Sequence, residues 1–235
     1  YCTEPKFNIN GSSIEIDNRV KSILQEALSV YRIDEGKLAE LNPDLIITQS
    51  QCDVCAVSLS DVENAVRKIL GKKPNIVSLE PNQLSDIWED IKKVATALKV
   101  EKRGESIISE MRERIGNLCK MAEDLEKRTV ACIEWIDPLM AAGNWVPELV
   151  ELAGGINLFG SKGKHYPWME FEDLIKKDPD VIIVMPCGYN IDKSNQEMDT
   201  LRIMPKWHNL KAVQNGDVFL TDGNQFFNRP GPRLV

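Results

Sequence analysis

The chain has 235 residues, 43% of them hydrophobic and 28% charged, with a formal net charge of −7. That length suits one large domain or two lobes of about 100 residues each. The acidic balance argues against a nucleic-acid binder, whose phosphate partner demands clustered Lys and Arg, and no apolar run approaches the about 18 residues of a membrane span. The chain does not start with Met, so Tyr1 reads as a trimmed or processed end, and the lack of a targeting segment says little. Its six cysteines are Cys2, Cys52, Cys55, Cys119, Cys132 and Cys187. In a chain this long they make a weak case for a disulfide scaffold. Cys132 and Cys187 lie in or just after strand-like runs and are expected as small buried hydrophobes. Free thiols point to a reducing compartment, the cytoplasm or an organelle.

In chain order, Tyr1 to Gly11 reads as irregular. Ser12-Ser13-Ile14-Glu15 is a capping box, and Ile16, Val20, Ile23, Leu24, Ala27 and Leu28 follow helical spacing. A short helix, Asp34 to Leu41, leads into the turn Asn42-Pro43-Asp44 and a buried strand, Leu45 to Thr48. The loop Gln49–Cys55 ends that strand. Helix 59–70, strand 76–79 and helix 84–98 follow, an order that predicts a parallel sheet.

Residues 101–127 carry the longest helical pattern, with Ile107, Ile108, Met111, Ile115, Leu118, Cys119, Ala122 and Leu125 on one side. Continuous, it would be about 40 Å long and able to bridge two lobes; the plainer reading is a helix that frays near Gly116. The α/β pattern then restarts: strand 129–135, helix 147–153, helix 171–177, strand 181–186, helix 194–203, strand 217–221. Asn42-Pro43-Asp44 and Asp178-Pro179-Asp180 each follow an amphipathic helix and open a strand. This shared grammar suggests two related lobes facing one cleft.

Ala131–Gly155, ACIEWIDPLMAAGNWVPELVELAGG, is the most informative stretch. It is an apolar strand broken at Asp137-Pro138, a small-residue loop at Ala141-Ala142-Gly143, and a helix entered at Pro147 and stopped at Gly154-Gly155. Open α/β sheets bind ligands where strands end, so Trp135 and Trp145 suggest a flat, largely apolar ligand; burial in the core explains the indoles equally well.

Cys52-x-x-Cys55 fits zinc or redox chemistry poorly. A structural zinc needs about four ligands, there is no second such pair, and His165 and His208 are distant in sequence. Packing under the next helix, or a cleft contact through Gln51, Cys52 or Asp53, is favoured. The start of the helix at Pro147 offers amide donors to an anion, against the plainer reading of a cap with Glu148 suited to the dipole. No nucleophile elbow, zinc-protease or phosphate-cradling motif is present.

These pieces together resemble the helical-backbone, class III solute-binding proteins of ABC importers, the vitamin B12 and iron-chelate group. The residues that carry the likeness are LNPDLIITQ, the long central helix, FEDLIKKDPDVIIVMPCG and a late VFLTDG strand. Cys52–Val57, Glu134–Pro138, Ala142–Glu148, Met185–Gly188 and Phe227–Val235 are similar to motifs of the cobalamin-binding-protein-like subgroup. The resemblance implies two Rossmann-like α/β lobes, 1–100 and 128–235, joined by one backbone helix over 101–127, with ligand held between them. It also implies that the first lobe lacks the family's opening strand and helix, and the second its terminal helix.

By the same resemblance, ligand contacts are expected from Gln49, Gln51, Cys52 and Asp53 in the first lobe. In the second they are expected from Trp135, Asp137, Met140, Asn144 and Trp145, from Tyr166, Trp168 and Cys187, and from Phe226, Phe227 and Arg229. Cobalamin-binding relatives tend to line the cleft with aromatics, whereas the place after the first strand here holds Gln49. Glu172 is the expected docking carboxylate for a membrane permease, with Glu63 and Asp61 as weaker matches in the first lobe.

The function implied is a non-catalytic, monomeric receptor for cobalamin or another corrinoid, a tetrapyrrole or an iron chelate. It needs no cofactor or bound metal of its own, and the family places it in the periplasm or at the cell surface. Two alternatives stand beside it. One is an enzyme recruited from this cleft, using Cys52, Asp53, Glu134 or Asp137; the other is a relic that binds nothing.

Overall fold

Short-range chemistry sets where most elements begin and end. In the computed structural model, which describes residues 2–26, 30–51, 59–70 and 74–235, helix α1 spans Ser13–Glu26. Ser12 and Glu15 meet at its start, with the carboxylate reaching back to the Ser12 amide as a capping box predicts. The Glu15 carboxylate accepts from the Ser12 amide at 2.8 Å and from the Ser12 hydroxyl at 3.0 Å. The front end, expected to be irregular, contains a strand: β1 (Thr3–Pro5) pairs antiparallel with β2 (Tyr31–Ile33). Strands of three residues are too short for an alternating pattern to show. Their register is marked instead by opposed charges, Glu4 facing Arg32 with an ion pair of 2.6 Å.

The chain forms two compact units, Tyr1–Pro81 with Trp88–Glu105, and Asn82–Ile87 with Ser106–Val235. In the first, α2 (Glu35–Leu41) and α3 (Leu59–Ile69) accompany the parallel pair β3 (Leu45–Gln49) and β4 (Asn75–Leu79). Leu38, Val62, Ala65 and Val66 form its buried core, with Tyr31, Ile33, Ile46 and Ile76 against them. Helix α4 (Leu84–Ala97) starts in the second unit and continues in the first. Helix α5 (Glu101–Ala122) starts in the first and continues in the second, so that it joins two α/β lobes.

Helix α5 has 22 residues, passes Gly116 without a break and stops at Ala122; its length is about 33 Å. The helical spacing in the sequence continues to Lys127. Two observations explain the earlier stop: Leu125 is exposed, so burial does not hold a further turn, and Glu123 and Asp124 oppose the negative end of the helix dipole.

The second unit is built on a five-stranded sheet, in the order β6-β5-β8-β9 with β7 also on β5. Strands β5 (Thr129–Trp135), β7 (Ile156–Asn157), β8 (Val181–Val184) and β9 (Val218–Leu220) run parallel, and β6 (Met140–Ala141) folds back antiparallel on β5. Helices α6 (Val146–Leu152), α7 (Phe171–Lys177), α8 (Ile191–Arg202), α9 (Lys211–Gln214) and α10 (Gly223–Phe226) complete the unit. Alternate residues of β5 and β8, Ala131 and Ile133 with Ile182 and Val184, meet Phe171, Leu174, Met198, Leu201 and Trp207 in one core, as period-two strands require.

The repeated Pro-Asp grammar has a structural cause. Asn42 and Asp178 are both left-handed helix caps, at φ 40° and 43°, and each donates its N–H back to the last turn, to Leu38 and Leu174. Proline then prevents the helix from resuming. The aspartate that follows ties strands together: the Asp180 carboxylate accepts from the Thr129 hydroxyl at 2.6 Å and the Thr129 amide at 2.9 Å. Those bonds, helped by the charges of Lys211 and Arg128, hold the Asp180 carboxyl below the usual carboxylate range despite its desolvation. A carboxylate depressed in the folded state stabilises above its unfolded pKa of about 3.9 and loses that contribution as pH falls through the folded value. Thr129→Val is therefore expected to lower Tm at pH 7, with the difference from the parent shrinking below about pH 4; melting curves between pH 2.5 and 7 check this.

Candidate ligand-binding site

At the carboxyl ends of β5, β8 and β9 three loops converge, and backbone groups fasten them to one another. The Met185 amide bonds the Ile133 carbonyl at 2.8 Å and the Cys187 amide bonds the Glu134 carbonyl at 3.1 Å, fixing 185–190 against the end of β5. Asn228 Nδ2 donates to the Met185 carbonyl at 3.2 Å, fixing the loop after β9. The Trp145 indole N–H donates to the Phe227 carbonyl at 2.8 Å and ties the β6–α6 segment to the same loop.

Two glycines permit this convergence. A Cβ on Gly223 would lie 2.6 Å from the Met185 carbonyl carbon. One on Gly143 would lie 2.6 Å from both the Lys164 carbonyl oxygen and the Tyr166 nitrogen. The 160–168 segment therefore runs flush along β6, held by the Asn144 amide on the Lys164 carbonyl at 2.7 Å and the Ala141 amide on the Pro167 carbonyl at 3.0 Å.

The expected ligand residues of this unit separate into two groups. Met140, Asn144 and Trp145 are buried, the last only 4% exposed, and their place is in the packing under the loops. Trp135, Asp137, Tyr166, Cys187 and Phe227 are half-buried, and Arg229 is exposed with its Nε on Asn224 Oδ1 at 2.8 Å. Trp168 at 57% and Phe226 at 43% are open to solvent. The start of α6 is buried from Asn144 to Pro147, which removes the amide-donor reading of that helix end.

Sequence reasoning missed a cluster just beyond Met185–Gly188. The Tyr189 ring lies 5.2 Å from that of Trp135, tilted by 46°, and the Lys193 ammonium sits over the Tyr189 ring, 5.4 Å from its centroid. Lys193 is paired to Glu197 at 2.7 Å. Burial, then the Glu197 charge, pushes the Tyr189 phenol well above its ordinary pKa. A helix-spacing search from Asn190, the α8 cap, would have found Lys193 and Glu197 as an i, i+4 pair. Glu148 also does more than suit its own helix: its carboxylate accepts from the Leu84 amide at 3.1 Å, at the start of α4, and pairs with Lys162 at 2.6 Å. Burial, with Glu134's charge adding, raises the Cys132 thiol to about 12, as fits the small buried hydrophobe expected there.

In the first unit, Gln49 ends β3 opposite Leu79, and Gln51 is half-buried. Cys52 and Asp53, with Cys55, lie outside the described residues. Glu172 is exposed in the first turn of α7; Glu63 is half-buried and 3.6 Å from Arg67. Among the described residues no group of three or more His, Cys, Asp or Glu is arranged to hold a metal, and no helix is long and apolar enough to cross a membrane.

Comparison with known proteins agrees with this architecture. The family described as periplasmic binding protein matches residues 18–224. A vitamin B12-binding protein of Vibrio cholerae is 30% identical over 97 residues, 41% of this chain and 32% of that protein. The Fe(3+)-citrate-binding protein YfmC of Bacillus subtilis is 23% identical over 190 residues, 79% of this chain and 55% of that one. The chain thus spans only about a third to a half of the length of these relatives. The periplasmic heme-binding protein RhuT from Roseiflexus sp. RS-1 shares the fold, with a TM-score of 0.68 and 23% identity over 86% of this chain and 75% of that one. Two α/β lobes joined by one long helix, together with a family match over most of its length, make this chain a member of the helical-backbone (class III) periplasmic solute-binding proteins of ABC transporters.

Proposed function

We propose that the protein is a receptor for a flat metal chelate, a corrinoid or another tetrapyrrole, with an iron chelate as the broader class. The observation that carries this is the fastened triple-loop face of the second unit, which leaves Trp135 and Phe226 at or beyond the ends of the parallel strands β5 and β9, with Trp168 exposed beside β6. Aromatic faces of that kind give a planar ligand area and stacking at little entropic cost. The relatives' names point the same way, covering vitamin B12, iron(III) citrate and heme. Arg229 supplies a cation at the rim for ligand carboxylates or phosphate.

Members of this family bind solutes without transforming them, so the enzymatic alternative built on Cys52, Asp53, Glu134 and Asp137 is set aside. In this reading Glu172, with Glu63 as the weaker candidate, faces a permease. The setting is extracytoplasmic, as for the relatives. Among the described residues Cys2, Cys119, Cys132 and Cys187 are in no disulfide, which suits that setting as well as a reducing one and does not argue for the cytoplasm.

The test is titration of the purified chain with hydroxocobalamin, haemin and ferric citrate, followed by absorption and tryptophan fluorescence. Saturable one-site binding with a Kd of about 1 μM or tighter, about −8 kcal/mol, is expected for at least one of them. No binding to any of the three, and no rise in Tm with any, overturns the receptor reading.

A further inference from the structure

The chain contains two Asn-Gly pairs, Asn10-Gly11 and Asn215-Gly216, and the receptor reading uses neither. The dipeptide carries its own chemistry. Glycine has no Cβ to screen its nitrogen, so that nitrogen can reach the side-chain carbonyl carbon of the asparagine before it and close a five-membered imide ring. Three local conditions control the reaction. The glycine N–H must be unbonded, the asparagine side chain must be able to swing to it, and negative charge on the nitrogen must be stabilised.

The two pairs differ on these points. Asn215 caps α9 at φ −85° and ψ −9°, and the Gly216 N–H is bonded to the Val213 carbonyl at 3.3 Å. A ψ near zero also turns the Gly216 nitrogen away from the Asn215 Cβ, which ring closure must bring into line with it. Asn10, by contrast, is exposed in the loop before α1. Its backbone N–H donates to Asn8 Oδ1 at 2.9 Å. Among the described residues, neither its side chain nor the Gly11 N–H has a partner.

Arg19 supplies the third condition. Its Nη1 donates to the Asn8 carbonyl at 2.9 Å and to the Asn10 carbonyl. That carbonyl and the Gly11 N–H belong to one peptide group, so when the nitrogen loses its proton the charge is shared with the carbonyl oxygen. A hydrogen bond from a cation strengthens as its acceptor gains charge, and Arg19 therefore favours the attacking form of Gly11. The Glu15 carboxylate nearby works against this, but it is engaged by the Ser12 amide and hydroxyl.

We propose that Asn10 is a site of spontaneous modification in the folded protein, converting through a succinimide to isoaspartate and aspartate, with Arg19 accelerating the first step. The Gly11 nitrogen loses its proton to solvent and bonds to Asn10 Cγ. The Cγ–Nδ2 bond breaks, and Nδ2 leaves as ammonia with a proton taken from solvent. Water then opens the ring. Attack at Cγ gives aspartate, and attack at the backbone carbonyl gives isoaspartate, with the chain rerouted through the side chain. Either product adds one negative charge at the start of α1.

The experiment incubates the purified chain at neutral pH, native and in denaturant, for the parent and for Arg19→Gln. Peptides covering positions 10 and 215 are followed by mass spectrometry, and isoaspartate is quantified by enzymatic methylation. In the native parent, Asn10 is expected to convert at least about tenfold faster than Asn215, and Arg19→Gln to slow Asn10 about tenfold without changing Asn215. In denaturant the two sites are expected to convert alike, since the sequence pair is the same. An intact Asn10, equal native rates at the two sites, a tenfold difference that persists in denaturant, or an Arg19→Gln variant that converts Asn10 as fast as the parent overturns the proposal. None of these outcomes bears on the receptor reading.

Discussion

Gly223→Ala is expected to lower stability by about 3 kcal/mol, a fall in Tm of roughly 6–12 °C for a chain of this size. The reason is space rather than backbone conformation. The added methyl would stand 2.6 Å from the Met185 carbonyl carbon and 2.8 Å from Asn228 Nδ2. The first of these is backbone of the neighbouring loop and cannot rotate away. Relief requires the loop after β9 to move off the loop after β8, which also breaks the Asn228 bond to the Met185 carbonyl. Gly231→Ala is the control, since a Cβ there meets nothing within 4 Å; its change should stay within about 0.5 kcal/mol. Thermal melts of the two variants side by side decide the matter, and equal stability would show that the three loops are not a single packed face. Because the same loops present Trp135 and Phe226, Gly223→Ala should also weaken whatever ligand the parent binds.

The second large effect separates two tryptophans that look alike in sequence. Trp145→Ala empties a buried indole site and strips the partner from the Phe227 carbonyl, at a cost of about 3–5 kcal/mol. Trp145→Phe keeps much of the volume and loses mainly the hydrogen bond, at about 1 kcal/mol. Trp168→Ala removes an exposed ring and should cost under about 1 kcal/mol, yet reduce ligand affinity about tenfold if the aromatic face is the binding surface. Chemical denaturation measures the first two, and titration with the bound chelate measures the third. A stable Trp145→Ala variant with lost binding, or an unstable Trp168→Ala variant, would reverse the assignment of these two residues.

Much of the fold was legible because it is written in short-range patterns. The strand Thr129–Trp135 and the helix Phe171–Lys177 fall on the spans read from period-two and period-3.6 spacing. The Pro-Asp repeats marked true helix caps and strand starts. Pieces shorter than one period escaped: β1, β2, β6 and β7 have two or three residues each, and no alternation can be read in so few. Helix α8 begins at Ile191, three residues before the expected start. There Asn190 caps the helix by accepting from the Lys193 amide at 2.9 Å, a signal stronger than the apolar spacing of 194–203.

The sequence by itself determined the class of the molecule: two α/β halves, a long joining helix, and loops bearing aromatics after particular strands. Hydrophobic period and cap chemistry are local, so they survive in a one-dimensional reading. What only the tertiary structure decided is which side chains of those loops are buried and which are exposed. Trp145 and Trp168 are both loop tryptophans near Pro, and nothing adjacent in sequence separates them. The difference arises because Trp145 meets Phe227, 82 residues away, whose carbonyl takes its N–H, while Trp168 meets the edge of β6 through backbone pairing with Met140 and keeps its ring in water. The Ser50 hydroxyl lies 2.6 Å from the Ser78 hydroxyl and 2.5 Å from Glu80 Oε1 for the same reason, since the parallel register of β3 and β4 sets Ser50 beside a segment about 30 residues away.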